Sequence, residues 1–177
     1  MEFLKIFLTC VAAAIIYGIL HDQVTAHICV EYFFVAHPTI LPLTSPTLLA
    51  FQWGVLATWW VGAALGIGLG FAARRGKRVV LGARDLRRPV VTLLLVMAGA
   101  ALVSGISGFV LAKTNTISLS GWLASAIPEA RHARFIADWW AHSASYLVGI
   151  IGGVVLCVRT YFKRNVLTAG IADKAVC

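Results

Sequence analysis

The stretch TLLAFQWGVLATWWVGAALGIGLGFAA, residues 47–73, contains no charged side chain and is followed directly by RRGKR, residues 74–78. As a helix, this stretch would extend about 40 Å at about 1.5 Å per residue. That length exceeds the roughly 30 Å hydrocarbon core of a bilayer. A long uncharged run that ends in a block of cations is typical of a helix that crosses a membrane.

Three further apolar stretches surround this one, and the composition agrees with them. Of 177 residues, 60% are hydrophobic and 12% are charged, whereas about 25% are charged in a soluble domain. These values exclude a soluble globular protein and a disordered chain. We predict an all-α integral membrane protein with one transmembrane domain, residues 1–177, and four spans in an antiparallel bundle. The spans are expected at about residues 3–34, 47–73, 90–112 and 135–162, with an inner loop at 74–89 and outer loops at 35–46 and 113–134.

The Lys and Arg residues divide unequally between the two ends of the predicted spans. Twelve of the 15 lie at one end, and the other end has only Lys113, Arg131 and Arg134. Cytoplasmic loops carry an excess of Lys and Arg, so we expect both termini in the cytoplasm. Topology and anionic lipid headgroups then explain the net charge of +8. We expect the lipid bilayer as a partner and no nucleic acid.

The first apolar stretch also has features of a secretory signal. Lys5 precedes an apolar run at residues 6–20, and residues 24–26 fit a small-residue cleavage rule. However, Asp22 lies between the run and that site, and the run is long. We therefore expect a retained span.

Ionisable residues of spans 1 and 4 gather towards the predicted outer end. Charged groups inside a bilayer cost a few kcal/mol each, so they usually face a bundle interior or a water-filled cavity. In two antiparallel helices that rise about 1.5 Å per residue, Glu31 lies level with Arg134, and His27 lies level with Asp138. His21 falls within one turn of His142.

The angular position of each residue around the helix axis further restricts which residues can meet. At 100° per residue, His21 and Glu31 share one stripe of span 1, and Asp22 points away from it. On span 4, Asp138 and His142 share a face. Two such faces packed together would surround one pocket between spans 1 and 4.

Imidazole nitrogens and carboxylate oxygens from two helices suit zinc, iron or manganese. The pattern HxxxE with DxxxH is not one of the established zinc or di-iron motifs, so a metal site is one hypothesis. A second hypothesis is a Glu31–Arg134 ion pair with a His27–Asp138 hydrogen bond that joins the helices, and a third is a proton or small-molecule pathway. The candidate ligands are His21, His27, Glu31, Asp138 and His142.

Haem is disfavoured, because bis-histidine haem needs two histidines that face each other across a gap, and only His21 with His142 qualifies. No motif specifies a substrate. Further candidates for the pocket wall or an ion pair are Asp22, Arg134, Trp140 and Tyr146.

Small residues recur at four-residue spacing, as at Gly62, Gly66 and Gly70. Such spacing lets helix backbones approach closely. The contacts could form within one chain or between chains, which leaves a homo-oligomer or a membrane-protein partner open.

Several segments carry a resemblance: HDQVTA at residues 21–26, EYF at 31–33, HP at 37–38 and DWWAHSASY at 138–146. Together they resemble a group of small uncharacterised four-span bacterial integral membrane proteins, over nearly the whole chain. The resemblance implies a multi-pass protein of the bacterial cytoplasmic (inner) membrane, and it implies no reaction, cofactor or substrate. Two functional hypotheses follow: a metal-binding membrane protein with redox or hydrolytic activity, or a non-enzymatic accessory or transport component held by an ion-pair network.

Overall fold

The computed structural model describes the backbone of residues 1–176 and the side chains of residues 1–171. The described chain is 82% helix and has no strand, which confirms the all-α class. A 3-10 turn at Glu129–Arg131 precedes the last helix. The α-helices are α1 (Glu2–Ile28), α2 (Val30–Val35), α3 (Pro46–Leu56), α4 (Trp59–Arg74), α5 (Ala83–Lys113), α6 (Gly121–Ala126) and α7 (His132–Val176).

Four helical segments are long and apolar enough to cross a membrane. Large apolar side chains such as Leu95 and Val103 point away from the protein and are 68% and 66% exposed. Such a surface is unfavourable in water and favourable against lipid. These features fit a multi-pass membrane protein. The segments are Glu2–Ile28, Pro46–Arg74, Ala83–Lys113 and Glu129–Ile171.

The first two segments are each interrupted. Cys29 is extended, with φ −150° and ψ 90°, so α1 ends at Ile28 and α2 is a separate helix. In the second segment, the Thr58 hydroxyl donates a hydrogen bond to the Gly54 carbonyl four residues earlier, a contact that often bends helices. Spans 1 and 2 are therefore not the continuous helices that the sequence predicted.

Helices α5 and α7 are longer than the predicted spans. The backbone N–H of Gly82 donates to Asp85 Oδ2 at 2.8 Å, so α5 starts at Ala83, ahead of the predicted residue 90. The α7 helix continues past residue 162 to Val176. Part of the predicted outer loop at residues 113–134 is helical, as α6 and the 3-10 turn.

Helix α1 packs along α3 and α4, α5 packs along α7, and α4 also contacts α7. One buried apolar cluster includes Phe33 and Phe135, and a second includes Ile6 and Leu69. Along α1 and α7, a group of buried polar residues lies between these two clusters.

Candidate metal centre

Helices α1 and α7 bring three side chains with metal-ligating atoms together. His21 and Asp22 come from α1 and His142 comes from α7, and one ligand atom of each lies within 4.8 Å of the others. The rings of His21 and His142 meet edge to face, with centroids 4.6 Å apart. Asp22 is 5% exposed and His142 is 7% exposed. The group is therefore shielded from solvent.

The hydrogen bonds of His142 define which ring nitrogen holds the proton. Its Nδ1 lies 2.8 Å from the backbone carbonyl oxygen of Asp138, and a carbonyl can only accept, so Nδ1 donates. In the neutral ring, Nε2 then carries a lone pair. This Nε2 lies 3.3 Å from Asp22 Oδ1, which is also an acceptor when ionised. Two facing lone pairs need a proton or a cation between them.

Three buried polar atoms of this region have no hydrogen-bond partner within the described residues. They are His21 Nε2, His37 Nδ1 and Asp138 Oδ2. A buried polar atom without a partner costs roughly 1–3 kcal/mol. A metal ion between the two helices would give His21 Nε2 a partner.

The observed spacing fits the geometry of a tetrahedral metal ion. Bonds of about 2.0–2.1 Å to nitrogen and oxygen place neighbouring ligand atoms about 3.3 Å apart. The separation of His142 Nε2 from Asp22 Oδ1 is 3.3 Å. The third ligand atom, on His21, lies within 4.8 Å of both. The Nδ1 hydrogen bond of His142 to a carbonyl is the outer-shell contact that usually orients a ligating histidine.

A cavity of about 80 Å³ adjoins the three side chains. Tyr17 and Ser145 both line it, and Tyr17 Oη and Ser145 Oγ are hydrogen-bonded to each other at 2.7 Å. The cavity offers space for a metal ion with a bound water molecule. Its polar lining is formed by Tyr17, His21, Asp22, His37, Thr58, His142, Ser145 and Tyr146.

A second, apolar groove of about 720 Å³ also borders His21, between α1, α5 and α7. Asp138 and Arg134 border this groove among aliphatic side chains. Asp138 is only 1% exposed. Tyr17 and His21 thus border both the polar cavity and this apolar groove.

His37 lines the cavity, although it was not among the candidate ligands. Its ring lies 4.3 Å from the Trp53 ring between centroids and stacks on Phe33 at 5.6 Å. Burial, and then electrostatic repulsion from His142 whenever that ring is protonated, lower the pKa of His37 to about 4. The imidazole is therefore neutral at pH 7 and offers a lone pair. Its signal in the sequence was its place directly after the polar half of the first apolar stretch.

His27 lies outside this group. It is exposed, its Nδ1 donates to the Gln23 carbonyl at 2.7 Å, and its Nε2 lies 3.3 Å from Thr47 Oγ1. Both ring nitrogens are engaged there, so the predicted hydrogen bond to Asp138 is not formed.

Glu31 is also placed apart from the three side chains. Its Oε1 lies 3.3 Å from Arg131 Nε, and its Oε2 accepts a hydrogen bond from Cys29 Sγ at 3.2 Å. The predicted partner was Arg134. The break of the helix at Cys29 moves Glu31 out of register with α1. The prediction compared residue depths along two continuous helices and so did not include this break.

The predicted orientation of Asp22 is wrong, because its carboxylate contacts His142. Helix α1 has neighbours on several sides, so a residue off the expected stripe still meets α7. Tyr146 lines the cavity as expected, and its hydroxyl donates to the Ala57 carbonyl at 3.4 Å. The Trp140 ring instead lies against Gly108 of α5, where an added Cβ would lie 3.0 Å from it.

The fold and this group define a class: an all-helical protein with four segments able to cross a membrane and a buried His/Asp/His group near metal-binding distance. Comparisons of the chain with models of known protein families, with curated proteins and with solved structures find no match. The resemblance to small bacterial membrane proteins stays a prediction.

Proposed function

We propose that this chain is a multi-pass protein of the bacterial cytoplasmic membrane that binds one divalent metal ion, zinc, iron or manganese, through His21, Asp22 and His142. The observation that carries the proposal is the 3.3 Å approach of His142 Nε2 to Asp22 Oδ1, in a group whose three ligand atoms, from His21, Asp22 and His142, lie within 4.8 Å of one another. The unpartnered Nε2 of His21 supports it. A divalent cation satisfies all three groups at once.

The proposal includes an arrangement in the membrane. The four spans form an antiparallel bundle with both termini in the cytoplasm, because twelve of the 15 Lys and Arg residues lie at one end of the spans. The metal site then lies towards the opposite, outer end of α1.

Three protein ligands and an open position are typical of a catalytic zinc site, in which the fourth ligand is water. The adjoining cavity provides room for that water, and Tyr17, Ser145 and Tyr146 provide hydroxyl groups around it. A hydrolytic or redox reaction in this cavity is the enzymatic form of the proposal.

The alternative function is a non-enzymatic accessory or transport component. One observation favours it: Asp22 and His142 already lie within salt-bridge distance, so a proton can take the place of the metal ion. In that case the contact joins α1 to α7 and binds no metal ion.

Element-resolved metal analysis of the protein purified in mild detergent tests the proposal. We expect close to one metal ion per chain in the parent after incubation with zinc, iron or manganese, and a large loss in His142→Ala. The matched control is His27→Ala, which removes an exposed imidazole engaged with Gln23 and Thr47 and should retain the metal. Equal metal content in both variants, or none in the parent, would contradict the proposal.

A further inference from the structure

A groove of about 850 Å³ runs along the contact between α5 and α7, at the end of the molecule that carries the basic loop. Aliphatic side chains from both helices form most of its wall. They include Leu93, Val96, Leu147, Ile151 and Val155. A single long apolar chain fits such a surface.

Cations border this groove at one end. Arg88 comes from α5, and Arg159 and Lys163 come from α7. All three are exposed, and none forms an ion pair within the described side chains, residues 1–171. One carboxylate, Asp85, also borders the groove, and it accepts the hydrogen bond of the Gly82 N–H at the start of α5. Three positive charges thus face one negative charge.

We propose that this groove binds one anionic phospholipid. The phosphate lies between Arg88, Arg159 and Lys163, and one acyl chain follows the apolar wall. Basic pockets between membrane helices on the cytoplasmic side are known to bind anionic headgroups. The site does not depend on the metal site, because none of the three proposed metal ligands borders the groove.

The length of the groove agrees with one lipid leaflet. From Lys163 to Leu147, α7 rises about 24 Å at about 1.5 Å per residue, and one leaflet with its headgroup region is about 20–22 Å thick. A headgroup at the basic end therefore leaves its chain within the same leaflet. Because the cations come from two helices, a bound lipid also links α5 to α7.

Native mass spectrometry of the protein in a neutral detergent, titrated with phosphatidylglycerol, tests this site. We expect one bound phosphatidylglycerol per chain and at least tenfold weaker binding of phosphatidylcholine. The double variant Arg88→Gln/Lys163→Gln should bind phosphatidylglycerol about thirtyfold more weakly, since two cations are lost. The matched control Arg84→Gln/Arg87→Gln removes two exposed cations of the same helix start that do not border the groove, and it should bind like the parent.

Two further experiments distinguish binding of a phospholipid from binding of a soluble anion. Ile151→Trp fills the apolar wall and keeps every charge, so it should weaken phosphatidylglycerol binding, while soluble glycerol phosphate should not compete. Equal phosphatidylglycerol binding by the two double variants, equal binding of both lipids, or full competition by glycerol phosphate would overturn the proposal.

Discussion

At the scale of single residues, the contact of Asp22 with His142 determines the chemistry of the site. His142 donates from Nδ1 to a backbone carbonyl, which leaves Nε2 as an acceptor towards the Asp22 carboxylate. A cation and a proton are two ways to join these atoms. Replacing the Asp22 carboxylate with an amide would have a different effect in each case.

The variant Asp22→Asn distinguishes a bound metal ion from a proton at this position. An Asn amide is a poor metal ligand, but its NH2 group donates directly to His142 Nε2. We expect this variant to lose bound metal while its melting temperature in metal-free detergent stays equal to that of the parent or rises. Metal analysis and thermal unfolding, both with chelated samples as the baseline, measure the two quantities. If the melting temperature falls and the metal content does not change, Asp22 and His142 form an ion pair and the non-enzymatic alternative is correct.

The sequence identifies part of this site. His21 and His142 follow from depth, because both spans contain a histidine at a similar distance from the basic end. The contact of Asp22 and the place of His37 do not follow from it. Each depends on where the helices break and on how many helices surround α1. A periodicity of 100° per residue gives no information on either.

At the scale of helices, α1, which carries His21 and Asp22, approaches α4 closely. A Cβ on Gly62 would lie 2.6 Å from the carbonyl oxygen of Cys10 and 2.8 Å from the Cα of Val11. Both are backbone atoms, which cannot rotate away. The glycine spacing in the sequence predicted a close contact here, although not which helix would form it.

Gly62→Ala should therefore force α1 and α4 apart. Overpacking of this kind typically costs about 1–3 kcal/mol, so we expect a lower melting temperature and weaker metal binding. Gly99→Ala is the matched control, since an added Cβ there meets nothing within 4 Å and alanine favours a helix. Thermal unfolding of both variants in one detergent provides the comparison. Equal destabilisation by the two changes would show that α1 and α4 do not pack this closely.

A buried arginine joins α7 to the basic loop after α4. Arg164 is 0% exposed. Its guanidinium donates to the backbone carbonyls of Val79, Ala72, Arg75 and Arg78, at 2.6, 2.7, 3.1 and 3.4 Å. Four carbonyls thus take the place of a carboxylate partner, and they fix the path of residues 72–79.

Arg164→Gln should release this loop, because an amide cannot reach four carbonyls. The loop contains four trypsin sites between residues 74 and 78. We expect trypsin to cleave the loop at least several times faster in the variant than in the parent. Arg87→Gln, an exposed arginine, serves as the control. An unchanged cleavage rate in Arg164→Gln would mean that other contacts hold the loop.

At the scale of the whole molecule, the proposed topology places both termini on the same side of the membrane. The sequence predicts four membrane-crossing segments well, because long uncharged runs have few other structural solutions. It predicts their arrangement poorly. Lipid-facing and protein-facing surfaces are both apolar here, so the helical period that reveals a buried face in soluble proteins is weak.

Reporter fusions test the topology. A reporter that is active only in the cytoplasm should be active after Cys177, and a reporter that is active only outside should be active after Ile117, between α5 and α6. The expectation follows from the excess of Lys and Arg in residues 74–88. The reverse pattern of activities would contradict the proposed orientation.

The central claim is that His21, Asp22 and His142 bind one metal ion, and X-ray absorption spectroscopy of the zinc-loaded protein tests it most directly. The account predicts about two imidazole nitrogens and one or two oxygens at about 2.0–2.1 Å, with one imidazole lost in His142→Ala. A shell of oxygens alone, a sulfur ligand at about 2.3 Å, or a spectrum that His142→Ala does not change would contradict it.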